Sequence, residues 1–176
     1  MRWIVLVVDM IEEFVTGRLG DPRMLEVVSP IRRLLDRARE AGVPVVYVRD
    51  CHRMGDPELD IMGDHAMEGS DQCGIVPELE PLAGEPVFEK SVYTAFYGTG
   101  LDEYLDGLGA DTLILTGQLT EVCIRHTAAD AFYRGYRTVV PNDCVQTMTD
   151  DIQTRALQEM MALYGTSIVP SSEVTF

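Results

Sequence analysis

The sequence predicts an α/β fold, an open, doubly wound, parallel six-stranded sheet with helices on both faces. Three observations predict it. Short apolar, β-branched runs lack polar alternation, as in strands that are covered on both faces. Segments with helical spacing separate these runs, and charged residues stand at the ends of several of them. The chain has 176 residues, enough for one sizeable core, so we expect a single domain over residues 1–176.

Six runs are predicted as strands. The clearest is residues 112–116, which Gly117 then breaks. We expect residues 141–147 to form a turn rather than a strand. The six expected strands, in chain order, are residues 3–8, 43–48, 86–89, 112–116, 136–140 and 168–169.

The helices are predicted from their end signals. Asp21 is a plausible N-cap with Pro22 at the first helical position, and Pro30 further on predicts a kink or two shorter helices. The last helix has Thr149 as its expected N-cap and Gly165 as its stop. The expected helices cover residues 21–42, 101–108, the segment that follows Thr120, and residues 150–164.

Cys123 is a candidate nucleophile. With Thr120 as N-cap, Cys123 falls in the first turn of a helix that follows a buried strand. Free backbone N–H groups and the positive end of the helix dipole there favour a thiolate, so we expect a lowered pKa. The alternative is a small buried hydrophobic residue, the usual fate of an intracellular cysteine.

Two charged residues are expected at the same edge of the sheet as Cys123. Asp9 follows the first strand and Lys90 follows the third, and ligands bind at the carboxyl edge of open α/β sheets. Asp9 could accept the thiol proton, while the Lys90 ammonium stabilises the thiolate.

The long segment between residues 50 and 84 contains a candidate metal site. Asp50 and His52 end the second strand as Asp-x-His, and His65 lies further along the segment. One carboxylate and two imidazoles suit zinc or iron, with coordination positions left open.

Composition excludes several other classes. A formal net charge of −15 repels a phosphate backbone, so we expect no nucleic-acid partner. No apolar run approaches a membrane span, and residues 3–8 are too short for a signal peptide, so we expect a cytoplasmic protein without membrane contact. The four cysteines form no CxxC pair, which argues against a disulfide framework. No glycine-rich phosphate loop follows the first strand, which argues against nucleotide binding.

Four motifs resemble those of the isochorismatase-like cysteine hydrolases, the superfamily that includes nicotinamidases and N-carbamoylsarcosine amidase. They are VLVVDMIEEF (residues 5–14), EKSVYTAF (89–96), TGQLTEVCIRHTAADAFYRGY (116–136) and VPNDCV (140–145). The resemblance implies a catalytic triad of Asp9, Lys90 and Cys123. It also implies a cis peptide bond between Gln118 and Leu119, with the N–H groups of Leu119 and Cys123 forming the oxyanion hole.

The resemblance to nicotinamidases also implies cofactor and substrate contacts. Asp50, His52 and His65 match their metal ligands, which hold zinc, iron or manganese against a pyridine nitrogen. Met62 stands where those enzymes usually have tryptophan, and Phe14, Met62 and Tyr93 are expected to line the substrate pocket. A homo-oligomer is expected.

The predicted function is hydrolysis of a small-molecule amide C–N bond through a thioester, as in the conversion of nicotinamide to nicotinate and ammonia. An isochorismatase-like or N-carbamoyl amidase activity on another small substrate is the alternative within the family. Two readings come from other classes. One is a hydrolase in which a metal-bound water attacks and Cys123 is structural. The other is a binding module that keeps the fold without catalysis.

Overall fold

The computed structural model describes residues 2–176, in which seven strands form one parallel sheet. Six of them lie side by side in the order β3-β2-β1-β4-β5-β7, and β6 pairs with the end of β4. All pairings are parallel. The strands are β1 (Trp3–Val8), β2 (Val45–Asp50), β3 (Val87–Lys90), β4 (Thr112–Gln118), β5 (Arg137–Pro141), β6 (Val145–Gln146) and β7 (Ser167–Val169).

Helices cover both faces of the sheet, as predicted. Alternate residues of β1 point to opposite faces, so Val5 and Val7 join the core beneath α2, whereas Ile4 and Leu6 join the core beneath α4, α5 and α6. None of the helices in residues 2–176 is long and apolar enough to cross a bilayer. The helices are α1 (Glu12–Val15), α2 (Pro22–Glu40), α3 (Leu59–Met62), α4 (Leu101–Leu108), α5 (Arg125–Tyr133) and α6 (Asp150–Tyr164).

The predicted strands are all present, and most are displaced by one or two residues. The sequence prediction missed β6, because two residues carry no periodic signal and lie in the expected turn. The prediction also ended β4 too early. Gly117 continues the strand with φ of 115°, and its N–H donates to the carbonyl of Cys144 at 2.9 Å.

Two outcomes were expected at Pro30. The division into two shorter helices is wrong, because α2 is one helix of 19 residues, and a kink stays a prediction. Pro30 removes one backbone donor, but Ile31, Leu34 and Leu35 are fully buried against the sheet and hold the helix together across that point. The Asp21 cap is confirmed, since its side chain accepts the Arg23 N–H at 2.9 Å.

The helix-end predictions were right for α6 and wrong before Cys123. Thr149 caps α6 by accepting the Ile152 N–H, and Gly165 ends it in the left-handed conformation. Thr120 caps nothing, because Leu119 is the residue at the N-cap position and the Thr120 side chain is buried within the first turn.

We predict that Gly117→Ala destabilises the protein by more than about 3 kcal/mol, because overpacking and backbone strain would act together. A Cβ at this position would lie 1.9 Å from the Val8 carbonyl oxygen, and φ of 115° is unfavourable for alanine. Denaturant unfolding measures the loss. Gly107→Ala is the control, since open space surrounds Gly107 within α4 and alanine should stabilise that helix by about 0.5–1 kcal/mol. Equal stability of the two variants would contradict the prediction.

Candidate active site

The carboxyl ends of four adjacent strands bring the predicted acid, lysine and thiol together. Asp9 follows β1, Asp50 ends β2, Lys90 ends β3, and Cys123 lies in the first turn after β4. All four side chains are buried. Parallel strands end at the same edge, so residues that are far apart in the sequence meet here.

Lys90 is the centre of this group. Its Nζ lies 2.8 Å from Asp9 Oδ2 and 3.6 Å from Cys123 Sγ, and it also forms a short ion pair with Asp50. Burial alone would lower the pKa of Lys90, but the carboxylates of Asp50 and Asp9 outweigh it and raise that pKa. The ammonium therefore stays charged.

Asp9 is held by its backbone as well as by its carboxylate. Its φ is 55°, in the left-handed region that few non-glycine residues adopt. The Asp9 N–H donates to the Val48 carbonyl at 2.9 Å, and Oδ1 accepts the Asp50 N–H at 2.8 Å. Burial and then the charge of Asp50 raise the pKa of Asp9 to about 6, although Lys90 acts in the opposite direction. At neutral pH Asp9 is thus an ionised base.

Cys123 lies in a π-helical turn, Thr120–Ile124, that leads into α5. The expected lowering of its pKa is not observed. Lys90 does lower the pKa of the thiol, but burial outweighs it and raises that pKa well above its usual value. Cys123 at rest is therefore a neutral thiol, and a carboxylate oxygen of Asp9 lies within 4.8 Å of its Sγ.

The peptide bond between Gln118 and Leu119 is cis. This bond lies between the last residue of β4 and the π-helical turn. Leu119 and Cys123 both line a cavity beside that turn. Their assignment as the oxyanion hole stays a prediction.

The predicted metal ligands converge next to the Lys90 group, and a fourth donor joins them. Asp50, His52, Glu58 and His65 are all buried, and one donor atom from each lies within 4.8 Å of the others. The centroids of the His52 and His65 rings are 4.5 Å apart, and the ring planes are tilted by 58°. The sequence interpretation missed Glu58, because no motif spacing connects it to His52 within an irregular segment.

The donor chemistry of this group fits a divalent metal ion. Among the described residues, both His52 ring nitrogens, His65 Nε2 and Glu58 Oε2 are buried without a hydrogen-bond partner. His65 Nδ1 lies 2.7 Å from the Gly63 carbonyl, which only accepts, so Nδ1 carries the proton and Nε2 has a free lone pair. Burial lowers the pKa of His52, which keeps its imidazole neutral. Burial and then Asp50 raise the pKa of Glu58 to about 7, and Lys90 offsets only part of this rise.

A largely apolar cavity of about 130 Å³ opens between Cys123 and this donor group. The expected substrate contacts Phe14, Met62 and Tyr93 all line it. In the part of the chain that the structure describes, no arginine or lysine lines the cavity. Further lining residues were not expected from the sequence, namely Leu19, Gln118, Val122 and Met148.

The isochorismatase domain model matches residues 4–171. The chain belongs to the isochorismatase family. The predicted resemblance to this family and the predicted parallel α/β sheet are thus confirmed.

The relatives of this isochorismatase-family chain include amidases that are named for different substrates. N-carbamoylsarcosine amidase from Arthrobacter sp. is 30% identical over 143 residues, covering 70% of this chain and 51% of that protein, so the chain spans about half of its length. The solved N-carbamoylsarcosine amidase from Thermoplasma acidophilum has a TM-score of 0.95 and 41% identity, with both chains covered fully. Pyrazinamidase of Pyrococcus horikoshii, solved in complex with zinc, has a TM-score of 0.87 and 25% identity, covering 97% of this chain and 99% of the other.

We predict that Lys90→Met destabilises this isochorismatase-family chain by about 3–5 kcal/mol, because two buried carboxylates lose their counterion. Denaturant unfolding measures the loss, and adding Asp9→Asn should recover part of it by removing one of the unpaired charges. Arg137→Met is the control. It breaks an exposed ion pair with Asp111 and should cost no more than about 1 kcal/mol. If the changes in unfolding free energy of Lys90→Met and Asp9→Asn simply add in the double variant, the two charges are not coupled.

Proposed function

We propose that this amidohydrolase of the isochorismatase family cleaves a small uncharged aromatic amide through a thioester on Cys123, with nicotinamide as the substrate and nicotinate and ammonia as the products. The observation that carries the proposal is the Asp9, Lys90 and Cys123 group beside an apolar cavity, which is also lined by Asp50 and Glu58, two of the four buried metal donors.

Acylation begins with proton transfer inside the buried group. Asp9 accepts the Cys123 proton, and the thiolate that forms lies within 3.6 Å of the Lys90 ammonium. The sulfur attacks the amide carbonyl, and the N–H groups of Leu119 and Cys123 hold the developing oxyanion, a contact worth ~3 kcal/mol per donor. The C–N bond then breaks as Asp9 returns the proton to the departing ammonia.

Deacylation uses the same base. Asp9, again ionised, takes a proton from a water molecule that attacks the thioester carbonyl. The C–S bond breaks, the carboxylic acid product forms, and Cys123 recovers its proton from Asp9. One carboxylate thus serves both half-reactions, in agreement with a pKa that burial places near 6.

Asp50, His52, Glu58 and His65 would hold a divalent metal ion, with zinc as our first choice and iron or manganese as alternatives. A zinc ion is present in the pyrazinamidase of Pyrococcus horikoshii. When bound, the ion would supply an open Lewis-acid position for a ring nitrogen of the substrate. Phe14 and Tyr93 would pack against the ring.

The lining of the cavity supports an uncharged substrate. Asp50 and Glu58 are its acidic lining residues, and no arginine or lysine of the described chain lines it. Apart from a metal ion held by the donor group, a substrate carboxylate would find no cationic partner among these side chains. A neutral pyridine amide needs none.

N-carbamoylsarcosine is the second candidate substrate, because the likeness to the Thermoplasma acidophilum amidase extends over the whole chain at 41% identity. This compound carries a carboxylate, so charge separates the two candidates. A cytoplasmic location and assembly as a homo-oligomer stay predictions.

We predict that Cys123→Ala folds but loses turnover by roughly 10⁴-fold or more, because the nucleophile is gone. The assay is ammonia release. Cys144→Ala is the matched control, since Cys144 is another buried cysteine, lies in the core beneath α2, and should keep activity near that of the parent protein. Retained activity in Cys123→Ala would support a metal-bound water as nucleophile, and no activity in the parent protein on any amide would support a binding module.

The same assay tests the substrate. Zinc-loaded protein is compared on nicotinamide, pyrazinamide and N-carbamoylsarcosine at equal concentrations, each with and without iodoacetamide and a chelator. We expect the two aromatic amides to be turned over, and alkylation and chelation both to stop the reaction. Alkylation-sensitive turnover of N-carbamoylsarcosine alone would keep the triad and reject the aromatic substrate.

We predict that kcat/KM falls about tenfold per pH unit below pH about 6. The pKa of Asp9 is raised to about 6, so below that pH Asp9 becomes protonated and cannot accept the Cys123 proton. Steady-state rates from pH 4.5 to 8, with circular dichroism at each pH to verify folding, measure this limb. A flat profile down to pH 4.5 would remove Asp9 as the base.

A further inference from the structure

We infer that Gln118 is a specificity-determining residue whose side-chain carbonyl accepts an N–H of the substrate carboxamide, so that the site selects amides over carbonyl compounds that lack this donor. The inference deepens the proposed function and rests on it. Gln118 is the last residue of β4, is 1% exposed, and lines the cavity beside Leu119 and Cys123.

The orientation of the Gln118 carboxamide follows from its partner. Its Nε2 donates to the main-chain carbonyl of Asp9 at 3.1 Å. A carbonyl oxygen only accepts hydrogen bonds, so the reverse orientation would set two acceptors against each other. Gln118 Nε2 therefore donates to the backbone of Asp9, the proposed base, and Oε1 points away from that carbonyl.

Gln118 Oε1 lacks a partner. It is buried, and no donor in the described residues reaches it. A buried acceptor without a donor loses its hydration and gains nothing in return, so it is satisfied best by a donor that a ligand brings. The cavity wall around Cys123 is apolar, with Leu119 and Val122 as neighbours. The carboxamide of the substrate must enter this region to reach Sγ, and its NH₂ is the donor that the site otherwise lacks.

Gln153 offers a matched comparison outside the cavity. Its Nε2 also donates to a main-chain carbonyl, that of Val145 at 3.0 Å, and its Oε1 also lacks a partner. Gln153 belongs to α6 and lines a different cleft, beside Arg23 and Asp150. A general effect of removing a buried glutamine amide would appear at both positions, whereas substrate recognition would appear only at Gln118.

The experiment measures binding without chemistry. Zinc-loaded Cys123→Ala protein is titrated by calorimetry with nicotinamide and with 3-acetylpyridine, in which a methyl group replaces the NH₂ and the ring nitrogen is kept. We expect nicotinamide to bind about tenfold more tightly than the ketone, as one hydrogen bond of ordinary strength would produce. Adding Gln118→Leu should weaken nicotinamide about tenfold and change the ketone less than twofold. Adding Gln153→Leu should change neither ligand.

The outcomes separate this inference from the proposed function. Equal affinity of Cys123→Ala for the two ligands overturns the inference without any change at Gln118, so a poorly folded Gln118 variant cannot hide the answer. An equal loss of affinity for both ligands in Gln118→Leu, repeated in Gln118→Met, would show that Gln118 only positions Asp9. That result would also overturn the inference. If neither ligand binds to Cys123→Ala, the proposed aromatic substrate is rejected, and the inference about Gln118 is rejected with it.

Discussion

The ammonium of Lys90 is the interaction on which the candidate site depends. Four strands end around it, and it lies within contact of Asp9, Asp50 and Cys123. Two buried carboxylates next to each other could not both ionise without a cation between them. When a proton passes from Cys123 to Asp9, the negative charge moves from an oxygen 2.8 Å from Nζ to a sulfur 3.6 Å from it. The net charge of the group is unchanged, so the transfer needs little rearrangement of the surroundings.

Asp50 connects this group to the metal donors. One of its oxygens pairs with Lys90, and the other lies 3.9 Å from His52 Nε2. Its N–H also holds Asp9 Oδ1 at 2.8 Å. The negative charge of Asp50 helps to raise the pKa of Asp9. A cation bound beside Asp50 would offset part of that charge and so lower the pKa of Asp9. The two halves of the site share one carboxylate, so the charge at one half alters the proton affinity of the other.

Much of this arrangement could be predicted from the sequence, because parallel strands place their carboxyl ends on one edge. Asp9, Lys90 and Cys123 needed only the strand order to be grouped. A further signal was present and unused, since Lys90 is the one lysine among 14 basic residues. An arginine fork is larger and planar, and it does not replace a compact ammonium in a fully buried site. Glu58 and the Gln118 side chain could not be predicted, because folding alone brings them to the cavity. The predicted lowering of the Cys123 pKa was wrong, because burial raises that pKa by more than Lys90 lowers it.

Family membership and substrate choice are determined by different parts of the structure. The three proposed catalytic residues lie at or just after strand ends, where the sheet itself fixes their positions, and they can be kept while the acyl group changes. Much of the cavity wall comes instead from one-turn helices and a loop, with Phe14 in α1, Met62 in α3 and Met148 before α6. Such segments vary without disturbing the core. Identity of 41% to a named amidase therefore supports amide chemistry more strongly than it supports one substrate. For the substrate, our proposal therefore rests on the side chains that line the cavity rather than on that identity.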